Sequence, residues 1–98
     1  MECKKIHFSG HATIQMFKRS ITVEQVKVVI DKGKIIKMYP EDKPHPSYLM
    51  LGYSAGRPLH VVISADNKGN CFIITAYEPD KKIWDEKFEN KKWQLWNV

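Results

Sequence analysis

The sequence predicts an α+β domain, with two N-terminal helices packed against an antiparallel sheet of about four strands. Three observations lead there. Thr22-Val23-Glu24-Gln25 opens a segment in which Val23, Val26, Val29 and Ile30 recur at helical spacing. Gly56 to Ile63 and Cys71 to Tyr77 are rich in β-branched and aromatic residues and flank Asp66-Asn67-Lys68-Gly69-Asn70, a hairpin connection with Gly69 available for positive φ. Lys34 to Tyr39 and Tyr48 to Tyr53 read as two more strands, so the helices come first and the strands follow.

Taken in order, Lys4-Lys5-Ile6-His7-Phe8 fits a short edge strand with Ile6 and Phe8 on one face. Ser9 is a helix N-cap. The first helix, His11 to about Arg19, turns Ala12, Met16 and Phe17 inward and carries His11, Gln15 and Lys18 or Arg19 on an adjacent stripe. In the second helix Thr22 and Gln25 form a capping box, and Gly33 ends it in the left-handed conformation. Valines are mediocre helix formers, so the cap, the spacing and the terminal glycine carry this assignment. Pro40 to Pro46 holds three prolines and is an exposed loop that frames one edge of a cleft. Ser54-Ala55-Gly56 is a turn. Glu78-Pro79-Asp80 breaks the last strand. Trp84 and Phe88 then belong to a short helix or an arm, with Trp93 and Trp96 either docked on the body or presented to a partner.

The register of the central hairpin has two solutions. A four-residue loop sets His60 opposite Tyr77, with Leu59, Val61 and Ile63 facing Ala76, Ile74 and Phe72. A bulge at Gly69 shifts the pairing by one and exchanges the faces. The expected core is Val23, Val26, Ile30, Ile35, Leu49, Leu51, Val61, Ile63, Phe72 and Ile74.

A chain of 98 residues has room for one domain and one core. Its apolar runs are too short to span a bilayer, and no apolar stretch follows the basic start, so a cytoplasmic protein away from membranes is expected. Cys3 and Cys71 neither prove nor exclude a disulfide, and in that compartment they read as free thiols. The net charge of +5 and pI near 9.3 favour a polyanionic or acidic partner without naming it. No cofactor loop and no nucleophile elbow are present. His7 and His11 have a two-ligand spacing, but Ser9-Gly10 breaks the helix between them and no third ligand is near, so no metal site is assigned.

Several segments carry a resemblance. They are His11-Ala12, Met16, Arg19, Ile21-Thr22, Val26, Gly33, Tyr39-Pro40, Gly56-Arg57-Pro58-Leu59-His60-Val61-Val62 and Ile74-Thr75-Ala76-Tyr77-Glu78-Pro79-Asp80. Over about residues 5–84 the chain resembles the bacterial and archaeal family called domain of unknown function 4258, leaving 85–98 as a C-terminal arm or short helix. Position 15 holds Gln, where members often carry Glu or Arg. The resemblance implies the curved-sheet fold of the barnase, colicin and RelE-like (BECR) ribonuclease toxins. It also implies a zinc-finger antitoxin of the MqsA type as partner for some members.

For such a protein the expected activity is metal-independent RNA cleavage, as the toxin of a toxin–antitoxin pair. That chemistry needs a base for the 2′-hydroxyl, an acid for the leaving oxygen and positive charge on the phosphorane. His60 is the first candidate acid or base, Arg57 the phosphate fork, and Tyr77 a donor or stacking ring. His11 completes the set from the first helix, with Arg19 and Lys18 as RNA contacts. Against this stands a plainer account, in which His60 ties strand to helix and His11 bonds the backbone at a helix start. The alternative functions are a non-catalytic RNA- or protein-binding domain of the same fold, and a small enzyme on another substrate.

Overall fold

A computed structural model describes residues 1–92. The elements are β1 (Lys5–Phe8), α1 (Gly10–Lys18), α2 (Val23–Lys32), β2 (Lys34–Tyr39), β3 (Ser47–Ser54), β4 (Arg57–Ala65) and β5 (Asn70–Tyr77). Ser9 Oγ accepts from the Ala12 amide at 3.0 Å and starts α1. Thr22 and Gln25 bond reciprocally, at 2.9 and 3.1 Å, and start α2 as the capping box requires. Gly33 ends α2 in extended backbone (φ −78°, ψ −179°), which corrects the left-handed stop. The glycine is needed for a different reason: a Cβ there would run into the Val29 and Leu51 carbonyls.

The sheet has five strands in the order β1-β5-β4-β3-β2. It is mixed, because β1 lies parallel to β5 while every other pair is antiparallel. The antiparallel strands β2 to β5 are thus joined at the edge by the short strand expected over Lys4 to Phe8, which makes five, and the helices follow that strand rather than open the domain. Ile6 and Phe8 do pack against one core, on the helix side, but the parallel partner of this strand lies at the far end of the chain, beyond the reach of local pattern.

Both registers of the β4–β5 hairpin occur, one on each side of a bulge. His60 pairs with Tyr77, Val61 with Ala76 and Val62 with Thr75; past the bulge Ile63 pairs with Ile73 and Ser64 with Phe72. Ile74 is the extra residue. The turn is fastened by Asp66, whose carboxylate accepts from the Lys68 and Asn70 amides and the Asn70 side chain at 2.8–2.9 Å. These bonds, chiefly those from Asn70, hold its pKa down to about 2.

Alternation along β4 divides the core into two layers. Leu59, Val61 and Ile63 meet Ala12, Met16, Val26, Val29 and Ile30 on the helix side. On the outer side Leu49 and Leu51 pack against Trp84 and Phe88 from the segment that follows β5. Lys34 Nζ adds a 2.8 Å ion pair with Glu89 of that segment. Of the expected core, Val26, Ile30, Leu49, Leu51, Val61 and Ile63 are buried. Val23 in the first turn of α2, Ile35 on edge strand β2 and the bulged Ile74 are exposed, and Phe72 is half-buried. Phe17 is 85% exposed, because it lies off the Ala12–Met16 stripe. Trp93 and Trp96 lie outside the described residues.

Cys3 and Cys71 are joined in a disulfide across 68 residues, which corrects the free thiols. The compartment argument outweighed geometry that only the β1–β5 pairing reveals. Closing so long a loop restricts the unfolded chain, by about 4 kcal/mol on the chain-entropy account. Reduction, or Cys3→Ser, is expected to lower the urea midpoint accordingly. A change under about 0.5 kcal/mol would show that the bond adds nothing the β1–β5 ladder does not already supply.

Candidate functional site

Arg57 opens β4 and spends its guanidinium within the fold. Its Nε donates to Glu78 at 2.6 Å, and its terminal nitrogens donate to the Ser20 and Arg19 carbonyls at 2.7 and 2.9 Å. Carbonyls left over at the end of a helix need donors, and this fork supplies them at the α1–α2 link, where Ser20 stands at φ 55°. Arg57 holds that link against the sheet.

His60 lies on the outer side of β4 and is fully buried. The Phe88 carbonyl, 2.7 Å from Nε2, can only accept, so Nε2 carries the proton. Nδ1 then accepts from the Tyr77 hydroxyl at 3.2 Å. Trp84 closes the site, with its ring edge-on to the imidazole at 4.4 Å. Burial pushes the His60 pKa down, and the Phe88 hydrogen bond only partly offsets it. The neutral ring is thus satisfied on both nitrogens and covered by residues 84–88.

This burial has a pH consequence. An unfolded histidine titrates near 6.5 and folded His60 lower, so the unfolded chain binds more protons between those two values. The contribution is complete above about pH 6.5 and is lost as pH falls from there toward the folded value. Melting temperature should therefore drop between pH 7.5 and 5, with a shallower slope in His60→Gln. Equal slopes would assign the acid sensitivity to other groups.

Tyr77 is half-buried beside His60. Burial raises its pKa, the nearby Tyr39 phenol adds to that, and the Arg19 charge opposes it. Its proton is committed to His60, which leaves the phenol oxygen as an acceptor and the ring as a platform.

The exposed part of the candidate set lies one strand away. β1 pairs with β5 only as far as Ile73, so the outer edge of Ile74 to Tyr77 has no strand partner among the described residues. α1 packs against β5 here. Arg19, at the end of that helix, donates through one terminal nitrogen to the Thr75 hydroxyl at 3.1 Å and the Ala76 carbonyl at 2.9 Å. Its other guanidinium nitrogens have no hydrogen bond to a described residue, and the side chain is exposed. His11 and Gln15 precede it at four-residue intervals on the same stripe, with His11 exposed and about 12 Å from Arg19 along the axis by helical rise. Lys18 is also exposed, on the neighbouring face.

The predicted residues therefore form two groups. His60 and Tyr77 are in contact under the Trp84–Phe88 cover, and Arg19 reaches toward Tyr77 from the β5 edge. His11 stands on α1, which packs on the other side of the sheet from His60. Arg57 is bound to the helix link. Thr75 was not singled out by sequence, although it sits beside Tyr77 in the same Thr-Ala-Tyr segment. Its hydroxyl, which fixes the Arg19 fork, is a long-range contact that local pattern does not report.

No helix among the described residues is long and apolar enough to cross a membrane. No curated protein and no solved structure matches the chain. One family model does, over residues 8–78, and its description is domain of unknown function (DUF4258). That span holds both helices, the four strands β2 to β5 and every candidate residue named above; the chain belongs to the DUF4258 family.

Proposed function

We propose that this protein is an endoribonuclease of the RelE and barnase type, working at the edge formed by α1 and the unpaired half of β5. The observation that carries the reading is Arg19, seated on Thr75 and Ala76 with part of its fork open, on one stripe with an exposed histidine and next to Tyr77. A guanidinium so placed suits a phosphodiester, and the edge is open to an extended strand. The net charge of +5 supports a polyanionic substrate.

In this account the 2′-hydroxyl loses its proton to the His11 imidazole while its oxygen bonds to phosphorus. The P–O5′ bond breaks, the 5′-oxygen takes a proton from solvent water, and the product carries a 2′,3′-cyclic phosphate. Arg19 offsets the charge that builds on the phosphorane. Tyr77, held by His60, presents its ring to a neighbouring base. His60 is here a positioning residue, not the acid or base.

A second reading is a non-catalytic RNA-binding domain of the same fold. It is favoured by the enclosure of His60 and the internal use of Arg57, which remove two of the four expected catalytic groups from the surface. The test is to incubate the purified protein with a single-stranded RNA and with its 2′-O-methyl analogue. The enzyme reading expects cyclic-phosphate ends from the first only. The binding reading expects both to be bound equally and neither cut. No association with either would overturn both.

A further inference from the structure

A pocket of about 410 Å³ opens on the outer face of the sheet, between the loop before β3 and the β4–β5 hairpin. Its composition is mixed. Phe72 and His45 supply flat rings, near-parallel (7°) with centroids 6.1 Å apart. His7 stacks on Phe72 at 4.9 Å and its Nε2–H donates to Asn70 Oδ1 at 3.1 Å, which fixes that end of the stack. Ser47 and Ser64 are cross-strand partners that line the pocket, and both are buried, at 3% and 8% exposure. The Ser64 hydroxyl reaches the His45 carbonyl only at 3.5 Å, and no hydrogen bond engages the Ser47 hydroxyl. Lys43 and Asp42 complete the lining with one charge of each sign.

We infer that this pocket binds a nucleobase, with Phe72 and His45 as the stacking rings and the Ser47 and Ser64 hydroxyls reading the base edge. Among the described residues no buried side-chain nitrogen or oxygen lacks a partner, so the two hydroxyls are not stranded; that of Ser47 is unbonded and open at the pocket wall and that of Ser64 is only weakly engaged, which leaves both available to a ligand. A flat hydrogen-bonding heterocycle satisfies them and the rings together, as neither an aliphatic chain nor a simple anion does. Lys43 would take the attached phosphate, and Asp42 an amino group of the base. The pocket also touches the proposed RNA edge. Ile74 lines it, and Phe72 lies three residues before Thr75, about 10 Å along the strand. The inference extends the RNA reading by giving it a site for a base beside the working phosphate.

The test is an NMR titration of the intact, oxidised protein with each of the four ribonucleoside 5′-monophosphates, and with ribose 5-phosphate as the base-free control. At least one nucleotide should shift the Phe72 and Ser64 amides and the His45 ring saturably at millimolar concentration, with ribose 5-phosphate silent there. Phe72→Leu, which keeps an apolar side chain, should weaken that binding at least fivefold, and Ser47→Ala should weaken it without altering the spectrum elsewhere. Silence of these residues at 10-fold higher nucleotide, or equal shifts with ribose 5-phosphate, would overturn the inference. RNA cut normally with no nucleotide in the pocket would sink this inference alone. Nucleotide held in the pocket with no RNA bound at the α1–β5 edge would sink the functional reading alone.

Discussion

His11→Ala should slow RNA cleavage by about two to four orders of magnitude, the usual effect of removing a proton-transfer group. The side chain is exposed at the start of α1 and neighbours no core residue on its own stripe, so the fold should survive. Circular dichroism and the melting temperature should match the parent, because an exposed substitution away from caps and contacts stays within about 0.5 kcal/mol. Arg19→Lys should also cost activity, since an ammonium cannot hold Thr75, Ala76 and a phosphate at once. Single-turnover rates with saturating RNA separate these from weakened binding. If His11→Ala cleaves at the parental rate, the acid–base group lies elsewhere and α1 only binds.

His60→Ala has its largest effect on a different quantity. It strands the Phe88 carbonyl and the Tyr77 hydroxyl, and it opens a cavity beside Trp84. An unmade buried hydrogen bond costs about 1–3 kcal/mol, so a loss on the order of 3 kcal/mol is expected in urea melts. The Trp84–Phe88 cover should loosen with it, because His60 is the one outer-face side chain that bonds the backbone of that segment among the described residues. Trypsin should then cut at Lys81, Lys82 or Lys87 faster than in the parent. A variant as stable as the parent would mean that the histidine is not the tie described here. Residual cleavage should fall only as far as Tyr77 loses its position.

The two variants show what the sequence carried and what it did not. The capping box at Thr22, the turn at Ala55-Gly56 and the pairing of His60 with Tyr77 are local or nearly local, and pattern located them. So did the stripe through Ala12 and Met16. What pattern missed depends on residues far apart in the chain. Arg57 follows a glycine and precedes a proline near a histidine, which reads as a phosphate fork; its partners are helix-end carbonyls 37 and 38 residues away. His60 alternates onto the polar-looking face of β4, and nothing near it in sequence says that Trp84 and Phe88 will cover that face. The disulfide and the parallel pairing of β1, a strand that pattern did locate, depend on one contact across most of the chain. The Thr75–Arg19 contact belongs to the same class, being 56 residues long.

The family match bears on the fold region and not on the chemistry, and the finer likeness to RelE and barnase-type ribonucleases stays part of the proposal. An antitoxin partner of the zinc-finger type rests on the same resemblance. Expression of the chain alone in a bacterial host, with and without the neighbouring reading frame, addresses both at once. Growth arrest relieved by the neighbour fits a toxin–antitoxin pair.

The most direct measurement is the end chemistry and rate of RNA cut by the purified protein, compared across the parent, His11→Ala and His60→Ala at a temperature where all three are folded. The α1–β5 site predicts 2′,3′-cyclic phosphate ends from the parent, a loss of two orders of magnitude or more in His11→Ala, and a smaller loss in His60→Ala. A parental rate in His11→Ala, with activity abolished in a fully folded His60→Ala, would contradict it and return the chemistry to the enclosed histidine.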